Sequence, residues 1–576
     1  MAFLGCLAIF AVVIGSALAQ GPQVTLPDLG TLEGYTGNSF ISDREFYHFR
    51  GVPFAKPPVG DLRFKAPQPV EPWDGILNAH SNFGHRCPQA GPAGLVTTWQ
   101  GTLEESLEAE SRADEEAEDC LFLQIYSPNI DPAANLPVVV FIHGGAFMTG
   151  SSRLFGGNKF MDHDVVLVVP HYRLGPLGFL SLHTDEIPGN AGMLDQVEAL
   201  RWVQKYISYF GGNPNQVTLM GESAGAVSTS LLNLSPLSTG LFQQYITQSG
   251  TALANWAVDT DPINAAIEIG RRANCTDSEI NALTACLKTA SVSDLVLAYM
   301  GYLTSEVKQG RNGIGGSAPV IQQAGAVRFL EKSPRDIFAS GEYSAKPAIF
   351  GGNKHEGTMP LHFMYGNYLK PNDLLEDEQY MSREVTRLFL NFLGIHNDQG
   401  DTLAIGVEDT YLGRDKMGNF TLIMPGLIDL SSNIHIKGPT FGNAEYNAAK
   451  GAPTYLYSFH FDGSRSMFSY IAPLSPFPGG VAHGNEMILQ FSMPTFTTNE
   501  QDDIVSNQLI TLWVNFIKYG NPTPAENPVD GIPTWPLWTI RKGPYMVINS
   551  TSSVMQDFSR TEYFVAINED FPNNYQ

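Results

Sequence analysis

The chain has 576 residues, 43% of them hydrophobic, and 58 acids against 34 Lys plus Arg give a formal net charge of −24. That balance excludes recognition of nucleic acid or of anionic membrane surfaces through charge. The apolar fraction suffices for a large core, and length alone suggests about four domains.

The first residues, MAFLGCLAIFAVVIGSALAQ, hold an apolar stretch over residues 3–14 followed by small residues, with Ala17 and Ala19 spaced as signal peptidase requires. A signal peptide over residues 1–19 is expected, although its charged start is missing, and with it a secreted, extracellular product. No other stretch reaches about 18 uninterrupted apolar residues, and the end NEDFPNNYQ lacks a lipid-anchor tail, so no membrane anchor is expected. Without Cys6, four cysteines remain: Cys87, Cys120, Cys275 and Cys286. A secretory route makes disulfides of them, with three pairings open. Asn274, Asn419 and Asn549 begin N-x-[ST] sequons and are expected glycan sites; a fourth, at Asn233, is weakened by a following proline. Residues 104–119, EESLEAESRADEEAED, read as a solvated segment, the sharper alternative being an acidic rim that attracts cationic substrate.

Further on, residues 138–142 are a continuous apolar run ending in glycines, and residues 165–169 are another, stopped by Pro170. Leu194, Val197, Leu200, Val203 and Ile207 recur at helical spacing. Residues 217–220, 348–350 and 454–461 are three more strand candidates. Continuously apolar strands separated by helices predict an α/β fold, a mostly parallel sheet covered on both faces. Reactive groups in such a sheet belong at the carboxyl ends of its strands.

The strand at 217–220 delivers LMGESAGAVS, which holds a G-x-S-x-G pattern around Ser223. Alone this is a weak signal in a glycine-rich chain. A serine hydroxyl is a poor nucleophile and needs a base, an acid to orient it and donors for the developing oxyanion. Gly221 and Gly225 allow the close strand–helix passage of a nucleophile elbow, and Ala224 opens a helix whose N–H groups favour negative charge. Upstream, His143-Gly144-Gly145-Ala146-Phe147 follows a strand directly, as a glycine-rich oxyanion loop does. Downstream, IFGGNKHEG places Glu356 after a strand, and GGVAHGNEM places His483 on a glycine-flanked loop, in the order serine, acid, histidine.

Here the sequence resembles the type-B carboxylesterases, which include the cholinesterases and the insect esterases. The similarity runs through FRGVPFAKPPVGDLRF, EDCLFL, HYRLGPLGF, FGGNPNQVTLMGESAG and WVNFIKYGNPTP, over the whole mature chain. It implies one α/β-hydrolase domain over residues 20–576, against the length prior. It implies Ser223 as nucleophile, Glu356 as acid and His483 as base, with oxyanion N–H groups on Gly145, Ala146 and Ala224. It also implies disulfides Cys87–Cys120 and Cys275–Cys286, and resembles the family in placing Trp256 at the wall of an acyl pocket. The activity implied is hydrolysis of a small-molecule carboxylic ester through an acyl-enzyme, with no metal or organic cofactor.

Four positions depart from the commoner family pattern: Ala146 for a third glycine, Gln124 for Asn, Asn213 for Asp and Asn485 for Asp. Glu222 stands where juvenile hormone esterases typically carry Gln, which disfavours that substrate. Trp99 is poorly placed to match the choline-binding tryptophan of cholinesterases. The alternatives are a lipase within the hydrolases and, from another class, a non-catalytic interaction module like the neuroligins.

Overall fold

The apolar runs become the middle of one sheet. A computed structural model describes residues 21–80, 84–89, 116–276, 279–395, 400–493, 495–540, 543–569 and 571. The expected leader, Trp99 and residues 104–115 of the acidic run lie outside the described residues. Its strands are β1 (Gln23–Leu26), β2 (Gly30–Glu33), β3 (Tyr35–Asn38), β4 (Glu45–Pro53), β5 (Ile76–Asn78), β6 (Phe122–Ser127), β7 (Leu136–Ile142), β8 (Val166–Pro170), β9 (Gly212–Glu222), β10 (Gln244–Gln248), β11 (Ala348–Asn353), β12 (Thr454–Phe459), β13 (Tyr545–Ile548) and β14 (Ser553–Met555). β1, β2 and β5 form a small sheet, and the others form an 11-stranded sheet in the order β14-β13-β12-β11-β10-β9-β7-β8-β6-β4-β3. From β13 across to β8 the strands are parallel, and the flanking pairs are antiparallel. All five expected strands are present. The one expected at 454–461 stops at Phe459, and β9 starts earlier than its apolar core because Gly212 already pairs with Leu136.

Alternation along the strands explains the layers. Val138, Val140 and Ile142 of β7 join one core with Leu200, Val203 and Leu231. These come from the helix Ala191–Tyr206, expected from its spacing, and the helix Ala224–Leu234. Val139 and Phe141 point the other way, into a core with Leu509, Trp513 and Phe516 of the helix Glu500–Tyr519. Each such side chain contributes about 1.5–3 kcal/mol on burial, so the sheet needs both helical faces. A third core lies in a helical layer that includes Pro262–Arg272, Val292–Val307, Thr358–Met364 and Phe420–Ser432. Ala146 packs against it, which sets the oxyanion loop between sheet and helical layer.

The disulfides are Cys87–Cys120 and Cys275–Cys286. The second ties the residues after Pro262–Arg272 to the helix Ile280–Thr289. Among the described residues no single helix is long and apolar enough to cross a membrane; the pair Ile280–Thr289 and Val292–Val307 passes only by length and composition, and is bent by 120°. The end of the acidic run is tied to cations: Glu118 takes both Nε and a terminal nitrogen of Arg63 at 2.6 Å, and Glu116 pairs with Arg86 at 3.1 Å. That part is an anchor for neighbouring chain, not a free acidic rim.

Candidate active site

β9 ends at Glu222 and the next helix starts at Ala224, so Ser223 makes the turn alone, at φ 56° and ψ −122°. That left-handed backbone is strained for a residue with a side chain. Its N–H donates to the Gln248 carbonyl (2.8 Å), which pins the turn to β10. A Cβ at Gly221 would meet the Gly225 carbonyl oxygen at 2.2 Å, and one at Gly225 would meet the Ile142 oxygen at 1.9 Å. Only glycines fit this crossing. Two polar links hold the elbow's supports. Arg173 clasps Asp195 through Nε (2.8 Å) and a terminal nitrogen (2.6 Å), and Gln196 donates to Ser228 (3.2 Å).

β11 delivers the acid. His355 N–H donates to the Val481 carbonyl (2.9 Å), which lays the turn carrying Glu356 beside the loop carrying His483. His483 Nδ1 lies 2.5 Å from Glu356 Oε2, and its Nε2 lies 2.8 Å from Ser223 Oγ. The three residues, 127 and 260 positions apart along these two contacts, therefore form one hydrogen-bonded chain. The other Glu356 oxygen accepts from Ser249 Oγ (2.5 Å) and from the Asn353 N–H (2.6 Å). Ser223 is 8% exposed and the Glu356 side chain is fully buried.

Upstream, Gly145, Ala146 and Phe147 all take positive φ, at 106°, 53° and 60°. A non-glycine residue costs about 1–2 kcal/mol in this region, so Ala146 holds the loop shape under strain. No acceptor among the described residues takes the N–H of Gly145 or Ala146. Ala224 is the first residue of its helix, so its N–H has no intrahelical partner. The loop is fixed from behind, because Tyr172 donates to the His143 carbonyl at 2.9 Å.

The electrostatics are crowded. Burial would raise the Glu356 carboxyl, but the His483 charge and hydrogen bonds from His483, Ser249 and Asn353 outweigh it and hold the group below its ordinary value. Burial would lower His483, yet Glu356, Glu222 and Glu486 together push it up to about 9. Burial raises Glu222 to about 7 against the lowering pull of the His483 charge, and burial with the charges of Glu356 and Glu222 raises Glu486 to about 8. Glu222 Oε1 lies 3.4 Å from His483 Nε2. Glu486 accepts from the Asn353 amide and, at 3.4 Å, from the Tyr457 hydroxyl. Among the described residues no group of three or more His, Cys, Asp and Glu could hold a metal ion.

A sequence model of the carboxylesterase family matches residues 20–565. The chain belongs to that family. It is 32% identical to Carboxylesterase 1E of Mus musculus over 551 residues, 93% of this chain and 92% of the mouse protein. It is 32% identical to the liver carboxylesterase of Sus scrofa over 540 residues, 92% and 90% of the two chains. It is also 33% identical to the juvenile hormone esterase of Tribolium castaneum over 521 residues, 87% and 83% of the two chains.

Trp256 is half-buried on the segment after β10 and donates its indole N–H to the His435 carbonyl (3.2 Å). The departures from the family pattern acquire local roles. Gln124 is buried and donates to Ser152 Oγ (3.0 Å), Asn213 accepts from the Asn215 N–H (2.9 Å), and Asn485 accepts from the Met467 N–H (2.8 Å). Among the sequons, Asn274 and Asn419 are exposed and Asn549 is half-buried. Asn233 is buried in its helix with its side-chain oxygen on Lys346 (2.9 Å), which leaves no room for a glycan.

Three residues escaped the sequence reading. Ser249 holds the far oxygen of the acid, Asn353 bridges two carboxylates, and Glu486 adds a third carboxyl to the site. Glu486 lies three places after His483 in HGNE, and as the second residue of the helix starting at Asn485 it is buried against Asn353 and Tyr457. That proximity in sequence was the available signal. Nothing in the sequence marked Ser249, because its role depends on β10 lying next to β11.

Proposed function

We propose that the chain hydrolyses carboxylic esters in two steps through an acyl group on Ser223. The carrying observation is the continuous hydrogen-bonded path Ser223–His483–Glu356. His483 takes the hydroxyl proton as Ser223 attacks the ester carbonyl. The tetrahedral oxyanion rests on the N–H groups of Gly145, Ala146 and Ala224, each donor in such a site being worth about 2.7–4 kcal/mol. His483 then protonates the leaving alkoxide, which departs. Water attacks the acyl-serine in turn, losing its proton to the same nitrogen; the acyl–Oγ bond then breaks, His483 returns that proton to Ser223 Oγ, and the carboxylic acid leaves. Glu356 fixes the imidazole tautomer and stabilises its positive form.

The strained Ser223 backbone presents Oγ at the carboxyl end of β9, and the free N–H groups of the opposite loop support the oxyanion role. Trp256 serves as one wall of the acyl side of the pocket, and residues 20–576 act as one catalytic domain. The leader over residues 1–19, the two disulfides and the exposed sequons at Asn274 and Asn419 support a secreted, glycosylated product, with Asn549 as a third glycan site. Ser223→Ala is expected to abolish p-nitrophenyl acetate hydrolysis and covalent labelling by an organophosphate, with an unchanged melting transition. Labelling retained in that variant would overturn the assignment.

A further inference from the structure

The acid and the base of the proposed triad sit on separate loops, and a second imidazole joins the two. His355 immediately precedes Glu356 and is fully buried. Its backbone N–H donates to the Val481 carbonyl, and its ring takes the return bond, the Val481 N–H donating to Nδ1 at 3.1 Å. Val481 lies two places before His483. The two bonds tie the turn of the acid to the loop of the base, where His355 and Ala482 form a parallel bridge. A backbone N–H can only donate, so Nδ1 carries the lone pair and the ring proton sits on Nε2. Burial lowers His355 to about 4, so at neutral pH the ring stays uncharged and Nδ1 stays an acceptor.

The surroundings are shaped for this ring. Nε2 faces Glu569 Oε2 at 3.5 Å, while the other oxygen of Glu569 pairs with Lys354 Nζ. Phe571 lies against the ring, with centroids 4.7 Å apart. Gly480 takes φ 57°, and a Cβ on it would meet Nδ1 at 2.5 Å and the Phe571 ring at 2.8 Å. The glycine therefore leaves the space that the imidazole fills. Glu569 and Phe571 are fixed in turn, because Asp429 accepts the N–H groups of Ala566 (3.0 Å) and Ile567 (2.9 Å) in the helix Val565–Asn568. The chain after β14 thus presents a carboxylate to the protonated nitrogen and leaves the bare one to Val481. His483 Nδ1 sits 2.5 Å from Glu356, and a misplacement of about 1 Å in such a geometry can cost about 10²-fold in rate.

We propose that His355 is a positioning residue: by accepting the Val481 N–H it holds the loop of His483 in register with Glu356, and Glu569 orients its ring. The proposal rests on the esterase reading above and deepens it, setting a second histidine–carboxylate pair behind the first.

Asparagine places its side-chain oxygen where histidine has Nδ1, and glutamine places its amide where histidine has Nε2. His355→Asn therefore keeps an acceptor for Val481 and loses the link to Glu569, and His355→Gln does the reverse. For p-nitrophenyl acetate and the full-length protein, kcat is expected to fall at least about tenfold in His355→Gln, with KM within about twofold of wild type. In His355→Asn it is expected to stay within about threefold of wild type. If His355→Gln does not fold, His355→Leu, which has the shape of asparagine without the acceptor, gives the same reading. An equal loss in His355→Asn and His355→Gln overturns the proposal, since the ring would then act by packing alone. A kcat within about twofold of wild type in His355→Gln overturns it as well. No hydrolysis by the wild type would instead remove the esterase reading itself, and this proposal with it.

Discussion

Two buried charge clusters lie on neighbouring strands and are built on opposite principles. In the first, Glu222 and Glu356 flank one imidazole, His483, and Glu486 joins Glu356 through Asn353. In the second, the Glu562 carboxylate alone receives Ser458 Oγ (2.7 Å), the Tyr545 hydroxyl (2.9 Å) and His460 Nε2 (3.2 Å), with Lys437 Nζ at 3.6 Å. Burial would raise Glu562, yet His460, Lys437 and Ser458 hold it far below the usual carboxylate range. Lys437 is fixed further by donating to the carbonyls of Lys354 (2.8 Å) and Glu562 (2.7 Å). The second cluster has a surplus of partners and serves the fold. The first is short of them, so its carboxyls Glu222 and Glu486 are pushed up and its imidazole is left strongly basic. A site that must move protons holds its charges unsatisfied, whereas a site that must hold chain together satisfies them.

The largest expected effect separates the clusters by rate. Glu356→Gln keeps the shape of the acid but removes the charge that fixes the His483 tautomer, so kcat is expected to fall about 10⁴-fold. The substitution also removes the counter-charge of a largely buried imidazole, so the urea midpoint is expected to fall too, and it is the loss of kcat that separates this cluster from the second. A loss of less than about tenfold would move the orienting role to Glu222 or Glu486. The mirror experiment is Glu562→Gln. It leaves Lys437 buried without its counter-charge, and removing one partner of a buried pair typically costs about 3–5 kcal/mol. The urea midpoint should drop while kcat/KM for p-nitrophenyl acetate stays within about twofold. Because Glu562 is depressed, its contribution is present above its unfolded value near 4.5 and is lost as pH falls below it. The wild-type protein should therefore lose the difference from Glu562→Gln in acid. A stability gap that persists undiminished below pH 3 would contradict the pairing.

What could be read from the sequence divides along the same line. The strands were legible because continuous apolar runs such as 138–142 can only be buried on both faces. The elbow and its partners were legible because strand, glycines and chain order constrain them together, and the family resemblance carried the disulfide pairing that spacing left open. The unread residues take their roles from strand adjacency. Ser249 reaches Glu356 because β10 lies beside β11, and Glu562 reaches Ser458 and Tyr545 because β12 lies beside β13. Such neighbours are 17 to 107 positions apart, and no local pattern announces them. Ala146 is expected from the resemblance to supply an oxyanion N–H, and the cost of keeping it at φ 53° is visible only in the backbone.

The smallest expected effect probes how the first cluster sets its working pH. Glu222 is 3.4 Å from the nitrogen of His483 that faces Ser223, and its negative form favours the protonated imidazole. His483 must be neutral to accept the serine proton, so activity is expected to rise with pH through a titration lying above the ordinary histidine value of 6.5. Glu222→Gln removes one of the charges that raise it, and the acid limb of kcat/KM should move to lower pH by about one unit. Stability supplies an independent reading with a definite sign. Glu222 is raised from 4.5 to about 7, so between those values the folded chain binds more protons than the unfolded one and stability falls as pH rises. Each unit of that shift corresponds to about 1.4 kcal/mol. Glu222→Gln should therefore gain melting temperature relative to wild type, and gain more at pH 8 than at pH 5. An acid limb that stays in place, with a stability difference independent of pH, would mean that Glu222 does not act on the charge of His483 and that Glu356 alone sets its basicity.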